Sequence, residues 1–146
     1  MSATPRPFSD PELSAFMQKF ERAIEQFVNG NHRPWLELAA RRDDATILGA
    51  WGAYERGWAK VGARYDWAAS QFRPADTKVS VEYLASGASG DIAYTVAIER
   101  SEPLIVGHDQ RRRSELRVTH VFRREEGQWR FVHRHADPLI AKTTPG

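Results

Sequence analysis

The chain has 146 residues, with 41% hydrophobic and 27% charged side chains, which excludes a disordered or membrane-embedded chain. Lys plus Arg at 21 barely exceeds Asp plus Glu at 19, too small an excess to imply a nucleic-acid partner. Cysteine is absent, which excludes disulfides, thiol catalysis, iron–sulfur clusters and thiolate zinc sites, and suits the reducing cytoplasm.

The length suits one domain, read as 1–146 with its core at about 11–137. The opening MSATPRPFSD lacks the apolar run of an export signal, and no stretch approaches the ~20 apolar residues of a membrane span, so no membrane partner is expected.

Ser9 or Asp10 can cap a first helix, with Pro11 at its first position, where a missing N–H costs nothing. Leu13, Phe16, Met17, Phe20, Ile24, Phe27 and Val28 recur at helical spacing until Asn29-Gly30 stops them. Pro34 opens a second, shorter helix, PWLELAARR, and Ala45–Leu48 reads as a short strand. From about Gly52 to Phe72 the stripe Tyr54, Trp58, Val61, Tyr65, Ala69 and Phe72 predicts a third helix, with Trp67 off the stripe and free to face a partner. Pro74 ends the helical half.

Beyond it the period falls to two. Val79, Val81 and Tyr83, then Ile92, Tyr94, Val96 and Ile98, predict a hairpin turning at Ser86–Gly90. Gly107 to Arg113 reads as an exposed loop before a last hairpin with Glu126-Gly127 at its tip. Helices at one end of the chain and antiparallel strands at the other define an α+β domain, its helices on one face of a curved sheet.

The segments DDATILGAWGAYERGW and LRVTHVFRREEGQWRFVHRHAD resemble the SnoaL-like, ketosteroid isomerase-like branch of the nuclear transport factor 2-like superfamily, over roughly Pro11 to Asp137. The resemblance implies a cone-shaped fold, three helices packed on a curved antiparallel sheet, and a homodimer formed through that sheet. It also implies a pocket for a small-molecule ligand, without cofactor or metal. It does not fix the chemistry. The catalytic carboxylate of ketosteroid isomerases would fall near Gly49 and their oxyanion tyrosine near Ala23, so that activity is not expected. The pocket arginines of the calmodulin-dependent kinase association domain would fall at Val96, His120 and Ala136, none of them arginine.

Histidine is the ionisable type left there. A tip at Glu126-Gly127 sets His120 opposite His133 and Val118 opposite His135, gathering three imidazoles on the inward face. Three readings stand: histidines that shape the cavity, a catalytic acid or base acting on a small carbonyl substrate, or a three-histidine metal site. His120, mid-strand, is the first choice for contact with the cavity. Asp137 could orient His135 or His120, or cap the surface.

Trp35, Trp51, Tyr54, Trp58 and Tyr94 could line a flat aromatic cavity suited to a ring-containing ligand, or be core. Arg41-Arg42, Arg111–Arg113 and Arg123-Arg124 read as solvated faces. Thr119, Val121 and Val132 lie off the inward stripe and would form the dimer face. Two functions from different classes follow: a ligand-binding pocket protein, extending to a lyase, isomerase or cyclase that uses histidine acid–base chemistry, or an adaptor domain that only associates.

Overall fold

The computed structural model describes residues 6–146; the first five residues of the opening segment lie outside it. The elements are α1 (Pro11–Phe27), α2 (Arg33–Glu37), β1 (Thr46–Leu48), β2 (Glu55–Arg56), α3 (Trp58–Ser70), β3 (Val79–Ser89), β4 (Ile92–Ser101), β5 (Ser114–Glu125) and β6 (Gln128–Pro138). No helix among them is long and apolar enough to cross a membrane.

Helix α1 begins as its sequence requires, with the Asp10 carboxylate accepting from the Leu13 N–H at 2.9 Å and Pro11 in the first turn. At its far end Asn29 acts as a clip. Its amide nitrogen donates to the carbonyls of Glu25 and Thr77 at 2.8 and 2.9 Å, and its oxygen accepts from the N–H groups of Ala75 and Thr77 at 3.3 and 2.8 Å. One side chain thus ties the helix end to the chain that enters β3.

Helix α2 is shorter than PWLELAARR suggests. Residues 38–40 leave helical geometry to pair with β6: Phe131 N–H donates to the Leu38 carbonyl at 3.0 Å, and Ala40 N–H donates to the Phe131 carbonyl at 2.9 Å. Strand pairing outcompetes local helix propensity. Helix α3 likewise starts at Trp58 rather than near Gly52, because Gly52, Ala53 and Gly57 adopt φ of 99°, 56° and 85°, outside the helical region. The residues ahead of it form β2, which pairs with β1, and Tyr54 projects into solvent, 74% exposed.

The six strands run in the order β2-β1-β6-β5-β4-β3, open at both ends, with only the β1–β6 pair parallel. The first hairpin turns at Gly90-Asp91, not across Ser86–Gly90, since β3 continues to Ser89. Gly87 is a strand residue beneath the Tyr94 ring, where an added Cβ would come within 2.6 Å of a ring carbon. On β4 the small residues Ala93, Thr95 and Ala97 face the helices with Glu99, so the apolar set Ile92, Tyr94, Val96 and Ile98 lies on the outer face.

The core sits between α1, α2, α3 and the inner face of the sheet. Phe20 is its centre, with ring centroids 5.0 Å from both Phe122 and Trp35, while Trp35 lies 4.2 Å from Phe131. Truncating such an aromatic to Ala costs about 3–5 kcal/mol.

The last hairpin carries the decisive irregularity. Glu126 and Gly127 form its two-residue tip with φ of 52° and 78°, and Phe122 pairs with Phe131 as that tip dictates. Val121 then pairs with His133 instead of Val132, so Val132 is an extra, bulged residue. Beyond the bulge the strand's faces are exchanged: His120 opposes Arg134, Thr119 opposes His135, and Val118 opposes Ala136. The three-imidazole face expected from a regular register is not formed.

Candidate functional site

A cavity of about 790 Å³ opens between the C-terminal half of α1, helix α3 and the inner face of β4, β5 and β6. Trp35, Tyr65, Glu99 and Arg134 line it, all of them buried or nearly so. Trp51, Trp67 and Phe72 line it as well, with Trp51 and Trp67 about half exposed at the rim.

Arg134 reaches the cavity because of the bulge, and its partner is waiting on β4. Its two terminal nitrogens donate to the two Glu99 carboxylate oxygens at 2.9 and 3.0 Å, a bidentate pair. The first of those nitrogens also donates to His120 Nε2 at 3.0 Å. Arg134 carries no lone pair, so His120 Nε2 is the acceptor and its Nδ1 holds the proton. Burial, with the Arg134 charge and then His133 adding to it, holds the His120 pKa well below its ordinary range. His120 is a neutral imidazole packed against Phe20 at a centroid distance of 4.7 Å, behind Arg134 and off the cavity wall.

Two further polar groups belong to this wall. The Tyr65 hydroxyl and the Trp35 indole N–H are buried and meet no partner among the described residues. Burial pushes the Tyr65 phenol above its usual value, against a smaller downward pull from the Arg134 charge and from the nearby Trp35 N–H, which lies close to the hydroxyl without meeting hydrogen-bond geometry. Tyr65 therefore stays a neutral O–H donor. Two unpaired donors beside an internally neutralised Arg–Glu pair make a surface that lacks an acceptor, and a carbonyl or hydroxyl oxygen supplies one.

Of the aromatics expected in the cavity, Trp35 and Trp51 line it. Tyr54 does not, being held on the β1–β2 connection. Trp58 packs on its own helix over Gly62, with the Arg41 guanidinium 5.4 Å from its ring, and Tyr94 lies on the outer sheet face over Gly87. His133 and His135 also occupy that outer face: His133 Nδ1 bonds the Thr46 hydroxyl at 2.8 Å, and burial with the neighbouring His135 lowers its pKa. His135 lies 3.6 Å from the Asp137 carboxylate, which is itself paired with Arg117 at 2.7 Å. Asp137 thus lies at the surface, on the side of His135 rather than His120, with Arg117 as its hydrogen-bonded partner. With His120 on the opposite face, the three histidines cannot share a metal, and among the described residues no three His, Cys, Asp or Glu side chains are placed to hold one.

Sequence reading missed Tyr65, Glu99, Arg134 and the Arg112–Arg113 end of the loop, which also lines the cavity. One signal was available. Glu99 shares the period-two phase of Ala93, Thr95 and Ala97, and a carboxylate on an inward phase requires a buried cation or donors.

Helices packed on one face of a six-stranded open sheet, with a cavity beneath them, define a nuclear transport factor 2-like protein. Solved structures share the fold. A superfamily member from Salmonella enterica superposes with a TM-score of 0.71 at 18% identity, covering 92% of this chain and 97% of that one. A candidate dehydratase of the same superfamily from Streptomyces avermitilis gives 0.69 at 17% identity over 89% and 95%. A candidate calcium/calmodulin-dependent protein kinase II association domain from Xanthomonas campestris gives 0.70 at 14% identity over 94% and 93%. No curated protein matches the sequence. The family model of the SnoaL-like domain matches residues 18–141, and the chain belongs to that family.

Proposed function

We propose that this protein binds a small ring-containing molecule in the cavity and takes a carbonyl or hydroxyl oxygen of that molecule onto the Tyr65 hydroxyl and the Trp35 N–H. The observation that carries the reading is the pair of buried, unpartnered donors on the wall of an open cavity of about 790 Å³. Trp129 Nε1 is likewise unpartnered but lies outside the cavity, so it is the placement of the other two donors on the cavity wall, at a cost of roughly 1–3 kcal/mol each while unpaired, that favours a ligand over an adaptor with a vestigial pocket.

The same groups limit the chemistry. His120 is screened by Arg134, and both Glu99 oxygens are engaged, so neither is free to take a proton. Dehydratase and ketosteroid isomerase, the activities in the names of similar structures, need a base to take a proton as well as a donor to the carbonyl; Tyr65 supplies the donor and neither His120 nor Glu99 supplies the base, so the site favours binding over turnover. Tyr65→Phe tests the reading. It should weaken binding of ring ketones or phenols by roughly tenfold in calorimetric titration, the loss of one hydrogen bond to a buried group, while leaving the fold intact. Equal affinity in the two proteins contradicts it.

We further propose that two copies pack through the outer sheet face, where Tyr94, Val96, Thr119 and Val121 lie side by side across β4 and β5.

A further inference from the structure

The rim of the cavity carries charge that the wall does not use. Four arginines line the cavity, Arg64, Arg112, Arg113 and Arg134, against two glutamates, Glu99 and Glu115. Arg134 is taken up by Glu99, and Arg113 by Glu115 at 3.4 Å. Among the described residues Arg64 and Arg112 meet no carboxylate; the Arg64 guanidinium instead lies 4.0 Å from the Trp67 ring centre.

The backbone that carries them is held. Arg64 stands on α3 one residue before Tyr65. Arg112 lies on a pinned loop, its N–H donating to the Pro103 carbonyl at 3.0 Å. The preceding Arg111 fixes the same loop through the Thr77 hydroxyl and the Glu102 carbonyl, both at 2.9 Å, and through the Ala75 carbonyl. Beside them at the rim lies an aromatic cluster, with Trp51 tilted 32° to Phe72 and set edge-on to Trp67, each at 5.5 Å.

We propose that the ligand is a ring-containing carboxylate: its ring lies against Trp51, Trp67 and Phe72, its anionic group is taken by Arg64 and Arg112 at the rim, and its neutral oxygen points inward to Tyr65 and Trp35. The proposal rests on the ligand reading above and adds the charge and the orientation. Guanidinium groups suit it because their planar donors match a carboxylate.

The probes are 6-hydroxy-2-naphthoate and its methyl ester, which keeps the ring and hydroxyl but removes the charge. In calorimetric titration at low salt the acid should bind roughly tenfold more tightly than the ester, the value of one charge-assisted contact. In Arg64→Gln/Arg112→Gln the acid's advantage over the ester should fall below about twofold, and Arg112→Gln alone, a surface change, should lose part of it. An ester that binds wild type as well as the acid overturns the proposal and leaves the ligand reading standing. So does an acid preference that survives both substitutions, since the anion then lies elsewhere. If neither probe binds at millimolar concentration, the proposal and the ligand reading fail together.

Discussion

Arg134 holds three parts of the molecule at once: the Glu99 carboxylate on β4, the His120 imidazole on β5, and a face of the Trp35 ring, 5.8 Å from the guanidinium carbon. Removing it leaves a buried carboxylate without a counter-charge. Arg134→Met should therefore cost about 3–5 kcal/mol in urea unfolding, and adding Glu99→Gln should return a substantial part, because the pair's net worth is smaller than the penalty for leaving one member alone. His120 gives a second prediction. Its folded pKa lies below the unfolded value near 6.5, so between the two the unfolded chain binds a proton that the native protein refuses. Stability should be level in this group above about pH 6.5 and fall as the pH drops below it, by up to about 1.4 kcal/mol per pH unit. His120→Gln, whose amide oxygen can still accept from Arg134, should flatten the acid limb by one proton's worth in denaturation series run from pH 5 to 8. An unchanged limb means that His120 is charged in the native state.

The bulge in β6 decides which of these residues meet. Val132 is the extra residue opposite Val121, so deleting it leaves Phe131 and Arg134 on the inner face in a regular strand. We expect the deletion to cost no more than about 2 kcal/mol in thermal unfolding and to keep the Arg134–Glu99 pair, an outcome checked by amide and guanidinium resonances; loss of that pair argues against Val132 as the inserted residue. The same bulge marks where sequence reading stops. The helices, the strands and the Glu126-Gly127 tip follow from periodicity and turn chemistry, which act over a few residues. A bulge is one residue inserted into a period of two, and nothing local in FVHRHAD distinguishes Val132 from its neighbours. The ends of α2 and α3 were hidden for a related reason: residues 38–40 are drawn to β6, and the segment before Trp58 is drawn to β1, by strands distant in sequence. Glu99 was legible by phase, but its partner depended on the bulge.

For the whole molecule, the sheet separates two tasks. Its inner face carries the core and the cavity, and its outer face presents Ile92, Tyr94, Val96 and Val121, with His133 and His135 beside them. If that outer face joins two copies, Val121→Asp should shift the protein to a monomer in sedimentation velocity at micromolar concentration, raising the dimer dissociation constant by about 100-fold or more, since it buries an unpaired charge at the centre of the patch. Ligand binding in the cavity should survive that change, because the two faces share no side chain. The most direct test of the central claim is a titration of the isotope-labelled protein with a ring-containing phenol or ketone, followed by amide chemical shifts. The account predicts that the shifts fall on Tyr65, Trp67, Glu99 and Arg134, around the cavity; shifts that instead fall on Thr46, His133 and His135, across the outer face, would contradict it.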